Sequence, residues 1–317
     1  MDGAGARKGP SFYTRLKQIP RILMQNTLLW RAATVEFSAM RINVVKDRKL
    51  PLGRDTSYPD KYAPTLLCPI SRADSRVPLG LSGDLPFGGV DIWNAWDLTW
   101  LGAGGLPAAA TAEIYVPADS PNIVESKSMK LYLSSFAMSS FSSPAEVAET
   151  IARDLSVCAG RNIKVVVLPL ASTEARCVSR LAGTCLDTMQ VACSNWEVDA
   201  SLLQADRETT VSEDLHTHLL RSLCPVTSQP DIGSLQISYR GPRIDAASLL
   251  RYVVSYRQHN DFHEACVERM FVDLMARCAP VSLSIHARYQ RRGGLDINPF
   301  RSNNETDRPF NLRLWRQ

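Results

Sequence analysis

PAEVAETIARDLSVCA (144–159) and DFHEACVERMFVDLMARCA (261–279) are two versions of one segment. Glu149, Asp154 and Leu155, followed by Cys158-Ala159, are matched by Glu268, Asp273 and Leu274, followed by Cys278-Ala279, at an offset of about 120 residues. Both segments carry helical spacing, the first with Pro144 in its opening turn. Each precedes a strand, IKVVVLPL (163–170), expected to be central, and VSLSIHARY (281–289). Upstream of each lies another helical pattern, KSMKLYLSSF (127–136) and DAASLLRYVVSYRQ (245–258), the latter with Asp245 as N-cap. Before those come strands, AEIYVP (112–117) and SLQISYR (234–240). The reading is two tandem strand–helix–helix–strand units, an α+β architecture with helices on one face of a sheet. Residues 51–107 are rich in Pro and Gly and read as irregular structure leading to a first strand near WDLTWL (96–101). HTHL (216–219) is assigned to a separate helix.

At 317 residues, 45% hydrophobic and 21% charged, the chain has the composition of a globular protein with a substantial core. A net charge of +4 gives no strong electrostatic case for a nucleic acid or a membrane as partner. Apolar stretches such as VVVLPLA (165–171) are too short to span a bilayer. The eight cysteines are irregularly spaced and contain no CxxC, which points to reduced thiols and a cytoplasmic location. Cys158, Cys266 and Cys278 fall at helical positions where burial is expected. Residues 1–50 carry six Lys or Arg before position 34 and read as an N-terminal extension outside the fold.

Chemistry concentrates in four segments. Cys224 lies in SLCPVTSQPD (222–231), a polar, proline-punctuated run that places the thiol in a loop open to a substrate. A free thiol titrates near about 8.5, so a reactive one needs a base, a cation or a helix N-terminus beside it; Asp231, seven residues on, is the nearest candidate. In HNDFHEA (259–265), Glu264 enters a helix at its positive end, where a carboxylate suits the paired N–H donors of a purine-like edge. His259 and His263, four apart, also permit a metal reading with Cys224. ESKSMKLYLSSF (125–136) starts a helix with hydroxyls and lysines, a phosphate-binding composition. ARYQRRGGLDINPFRS (287–302) sets four arginines around a Gly-Gly turn, a second anion-binding loop. There is no GxGxxG or Walker sequence, so any dinucleotide site is of neither Rossmann nor P-loop type.

Together ESKSMKLYL, CPVTSQPD, NDFHEACVERMF, RYQRRGGLDINPFRS and LPFGGVDIW (85–93) resemble one family over roughly positions 50 to 317. It is the NADPH-dependent 7-cyano-7-deazaguanine reductases, nitrile reductases of queuosine biosynthesis, in their long two-domain form. The resemblance implies tandem tunnelling-fold (T-fold) domains at 51–205 and 206–317, with antiparallel sheets and paired helices on one face. It implies NADPH as cofactor, no metal, a homodimer or higher homo-oligomer, and neither membrane nor nucleic acid as partner. Cys224 would form a thioimide with the nitrile carbon, Asp231 would supply the proton, and His263 would sit beside the reacting carbon. Val124, Glu125, Ser126, His263 and Glu264 would bind the base; Ser126, Lys127, Arg292 and Gly293 would hold NADPH. Two rival readings remain at this stage: a zinc-dependent cyclohydrolase-like or pterin enzyme using Cys224 and the histidines as ligands, and a non-catalytic RNA-binding module using the arginine-rich C-terminus.

Overall fold

A computed structural model describes residues 59–172 and 177–317; the extension expected at 1–50 lies outside the described residues. In chain order the elements are β1 (Pro69–Ser71), α1 (Ala73–Arg76), β2 (Gly88–Leu101), β3 (Pro107–Pro117), β4 (Asn122–Val124), α2 (Ser126–Ser134), α3 (Pro144–Ala159), β5 (Lys164–Pro169), β6 (Thr184–Cys185), β7 (Ala205–Leu223), β8 (Pro230–Ile244), α4 (Ala246–Ser255), α5 (His263–Cys278), β9 (Ser282–Tyr289) and β10 (Leu295–Ser302). β1 and β4 pair by themselves. The main sheet runs β5-β3-β2-β10-β9-β8-β7-β6, antiparallel except for the short β6–β7 pair. β10 bridges the two parts of the chain by pairing with β2 from Leu295↔Ala95 to Ser302↔Gly88.

The register puts the helices on one face. Ile297 faces Trp93 across the ladder, and Arg301 faces Ile285. Residues opposite one another, and residues an even number apart on one strand, share a face. The two cores therefore lie on the same side of the sheet. One gathers Trp93, Ile114 and Ile297 under Tyr132 and Leu155 of α2 and α3. The other gathers Ile237 and Ile285 under Tyr252 and Phe271 of α4 and α5. Each fully buried side chain of this size contributes about 1.5–3 kcal/mol of transfer free energy.

The repeat seen in the helices extends to individual hydrogen bonds. Glu125 caps α2 by accepting from Ser128 N (2.7 Å), and Asp245 caps α4 by accepting from Ser248 N (2.7 Å). Ser128 Oγ accepts from Cys68 N, and Ser248 Oγ accepts from Gln204 N, both at 3.1 Å. Asp154 accepts from Tyr132 OH (2.7 Å) and Asp273 from Tyr252 OH (2.6 Å). The copies diverge at Glu149, which is exposed, against Glu268, which is buried.

Four expectations are corrected. Both units have two long strands ahead of their helices, β2 and β3 in the first and β7 and β8 in the second, and the second adds β10 after β9. β2 starts at Gly88, ahead of WDLTWL. Residues 91–95 of β2 are all buried, polar Asp91 and Asn94 among them, so the alternation that marks a strand is missing there. HTHL lies within β7, not in a helix; the preceding run, rich in Thr and charge, alternates as a half-exposed strand paired with β8. β5 is an edge strand whose residues from Val165 on are only half-buried.

Candidate active site

The β7–β8 hairpin carries Cys224 and Asp231. Leu223 pairs with Pro230 and Ser222 with Asp231, leaving 224–229 as the connecting loop. Cys224 N donates to Gln229 O (2.9 Å), and Ser228, at φ 54°, donates its N–H back to Cys224 O (2.9 Å). These bonds turn the loop inward, so the thiol expected in an open loop is buried, at 5% exposure. The segment before α5 runs beside the end of β7: Leu223 N donates to His259 O, and Asp261 N to Leu223 O. That seam delivers His263 and Glu264, the first residues of α5, to the thiol.

His263 Nε2 lies 3.2 Å from Asp231 Oδ2, and its ring stacks on Tyr289 at 3.8 Å between centroids. Neither ring nitrogen has an aligned hydrogen-bond partner. Arg292 completes the group: Nη2 is 3.3 Å from Asp231 Oδ1, and Nη1 donates to Gln229 Oε1 (3.0 Å). It is positioned by a two-residue turn, Gly293 and Gly294 at φ 61° and 78°, a geometry that glycine adopts without strain. Burial alone would raise the Asp231 carboxyl, but His263, Arg292 and Lys130 hold it below the ordinary carboxylate range. At rest it is a carboxylate.

One cavity is lined by Val124, Glu125, Ser126, Cys224, Asp231, His263, Glu264 and Arg292, with Trp93, Ile123, Phe262 and Ile297 as apolar walls. The sequence-derived residues thus converge from both halves of the chain. Lys127 and Gly293 do not line the cavity. Glu125 has its two carboxylate oxygens on its own helix, accepting from Lys127 N (2.8 Å) and Ser128 N (2.7 Å). Glu264 also borders an adjoining cleft of about 250 Å³. Burial, and next the nearby Asp91 carboxylate, push the Glu264 carboxyl up to about 7.

Sequence reasoning passed over Lys130 and Phe262. Lys130 stands one helical turn beyond Ser126, against Gly293, where a Cβ would meet its Cδ at 3.2 Å. Burial, then repulsion from Arg292, lower its pKa, while Glu125, Asp231 and Cys224 counteract the drop. The i, i+4 spacing from Ser126 was the available signal. For Phe262 there was none, since a lone aromatic before a helix reads as core. Of the four arginines at 287–302, Arg288 and Arg301 are interior, at 1% and 0% exposure, which leaves only Arg291 and Arg292 with accessible side chains. His259 turns toward Asp261 (3.6 Å).

Family models match two stretches: the N-terminal part of the nitrile reductase 7-cyano-7-deazaguanine reductase over residues 58–167, and QueF-like protein over 230–308. The chain is 52% identical over 268 residues to the NADPH-dependent 7-cyano-7-deazaguanine reductase of Paraburkholderia phymatum, spanning 84% of this chain and 98% of the relative. It is 52% identical over 259 residues to that of Azoarcus sp., spanning 81% and 92%. The apo crystal structure of an archaeosine synthase QueF-like protein shares 18% identity and a TM-score of 0.26 over 29% of this chain and 91% of its own, too slight a likeness to argue from. The chain belongs to the family of NADPH-dependent 7-cyano-7-deazaguanine reductases. Among the described residues, no helix is long and apolar enough to cross a membrane.

Proposed function

We propose that this protein reduces the nitrile of 7-cyano-7-deazaguanine to the primary amine, consuming two NADPH, through a thioimide on Cys224. The observation that carries the mechanism is the meeting of Cys224, Asp231, His263 and Glu264 in one apolar-walled cavity. A nitrile is a poor hydride acceptor; adding a thiol across it gives a C=N bonded to sulfur, a better one. Asp231, ionised at rest, takes the thiol proton as sulfur bonds to the nitrile carbon and returns it to the nitrile nitrogen. That step balances without an outside proton. NADPH, when bound, supplies the hydride for each of the two reductions. After the first, the carbon–sulfur bond breaks, Cys224 regains its thiol and an imine remains for the second. Protonation of the nitrogen at each stage runs through the His263–Asp231 pair.

For NADPH, Arg292 and Lys130 offer cations beside the helix start at Ser126 and Lys127. The mutual repulsion of Lys130 and Arg292 is relieved by an anion, which fits a phosphate between them. Glu264 accepts N–H donors of the base, and Phe262 offers an aromatic face. The same reading takes the two halves, 51–205 and 206–317, as tandem tunnelling folds, with self-association through the open sheet edges at β5 and β6, in a cytoplasmic enzyme.

The test is intact-mass measurement of the protein mixed with 7-cyano-7-deazaguanine in the absence of NADPH. A gain equal to the mass of the nitrile is expected; an unmodified mass at saturating nitrile overturns the thioimide. Glu264 gives an independent check. Its carboxylate form is the acceptor, and it protonates as pH falls through about 7. The KM for the nitrile is therefore expected to rise below neutrality, by up to about tenfold per pH unit, with kcat changing far less. A KM that stays flat between about pH 6 and 8 removes Glu264 from base recognition.

A further inference from the structure

On the far strand of the sheet, apart from the cavity, one cysteine and two histidines converge. Among the described residues, Cys185, His216 and His218 each offer a ligand atom, and these atoms lie within 4.8 Å of one another. His216 and His218 are two apart on β7 and share a face, and Cys185 of β6 is paired directly with His216. Gly183 makes that pairing possible: a Cβ there would lie 2.0 Å from Asp214 O, so only glycine lets the segment approach β7.

The two rings are held from behind. His216 Nδ1 lies 3.0 Å from Ala182 O, and His218 Nδ1 lies 2.8 Å from Ser234 Oγ. A ring nitrogen facing a carbonyl carries the proton, which fixes the tautomer and leaves Nε2 of His216 as a lone-pair donor. Asp187 anchors the backbone between them, accepting from His218 N (3.1 Å) and Thr217 Oγ1 (2.6 Å). One thiol with two oriented imidazoles is a donor set for a borderline divalent ion, zinc foremost.

We propose that Cys185, His216 and His218 bind one zinc ion, with water as fourth ligand, and that the ion fastens the long connection between β5 and β7 to the sheet. Cys185 binds as the thiolate and releases one proton per ion. Zinc–nitrogen and zinc–sulfur bonds of ordinary length place tetrahedral ligands about 3.5 Å apart. The three groups, already within 4.8 Å of one another, therefore need to close by no more than about 1.3 Å on binding, within reach of side-chain rotation. β6 is only two residues long, so little else in the backbone ladder ties this connection down.

The experiment strips full-length protein with chelator, adds one equivalent of zinc sulfate, desalts it and measures metal by mass spectrometry. One zinc per chain is expected for the wild type and for Cys224→Ala, and less than a tenth of that for Cys185→Ser and His216→Gln. Both of the latter are expected to keep wild-type nitrile reduction, which also shows that they fold. In wild-type protein, zinc is expected to slow maleimide labelling of Cys185 at least tenfold while leaving exposed Cys177 unchanged. Failure to retain zinc, equal retention by Cys185→Ser, loss of zinc from Cys224→Ala, or unprotected Cys185 each overturns the site. The Cys224→Ala arm also separates this site from the cyclohydrolase reading, in which Cys224 itself holds the metal.

Discussion

Cys224→Ala is expected to form no adduct with 7-cyano-7-deazaguanine and to lower nitrile turnover by at least about 10⁴-fold, since removing the nucleophile from a cooperating set costs nearly as much as removing the set. The expectation rests on the inability of the remaining groups to activate a nitrile. Asp231 and His263 move protons, and Glu264 binds the base, but none supplies the bond to sulfur that makes the carbon accept hydride. Binding is expected to survive, because the apolar walls and Glu264 stay in place. Calorimetric titration of the variant should give a Kd for the nitrile within about tenfold of the wild type. Cys224→Ser, which preserves the size of the buried side chain, guards against a packing artefact and is expected to be equally inactive. Turnover within tenfold of the wild type in both variants would mean that the thiol only lines the cavity.

How much of this was written in the sequence depends on how local each signal is. The α2 to β5 and α4 to β9 segments were legible because their helices have the right period and Asp245 sits where an N-cap is needed; that Glu125 caps α2 in the same way emerged only from the structure. β7 was misread because HTHL in isolation has no period; its strand character comes from a ladder with β8 more than a dozen residues away. Cys224 was singled out as an exposed loop thiol, and the structure places it in the cavity but buried. Its segment is a turn, as Pro225 and Pro230 announce, yet the loop closes on the protein rather than opening to solvent. Lys130 and Phe262 were passed over because their importance comes from partners on other elements. The arginine run shows the reverse failure. Four arginines looked alike, but the pleat of β9 and β10 sends Arg288 and Arg301 into the interior and leaves Arg292 at the cavity.

Arg301 belongs to the buried ionic network that holds the active-site helix against the sheet, and Glu268→Ala is expected to be the most damaging stability change outside the hydrophobic cores. Glu268 Oε1 lies 2.7 Å from Arg76 Nη2, 2.8 Å from Arg301 Nη2 and 3.7 Å from Arg72 Nη1, while Asp91 pairs with Arg72 (2.5 Å) and Arg301 (2.7 Å). Three arginines share two carboxylates, so deleting Glu268 leaves Arg72 and Arg301 on Asp91 and Arg76 with only the Ala118 carbonyl. Stranding buried charge in this way costs about 3–5 kcal/mol, a large part of the 5–15 kcal/mol typical of a folded protein. Burial alone would raise the Glu268 carboxyl, but Arg301, Arg76 and Arg72 hold it below the ordinary glutamate value. A depressed carboxyl stabilises the fold above its unfolded pKa of about 4.3, and that contribution fades as pH falls through the lower folded value. The wild type should therefore lose stability more steeply than Glu268→Ala on acidification, so that the gap between them narrows. Urea unfolding at neutral and acidic pH measures both quantities, with Glu149→Ala, at the matching but exposed position, expected to stay within about 0.5 kcal/mol of the wild type. A loss below about 1 kcal/mol for Glu268→Ala, or a gap that widens in acid, would mean that the arginines find other anions. Because Glu268 stands one helical turn from Glu264 on α5, the variant should also raise the KM for the nitrile, tying the buried network to the geometry of the cavity.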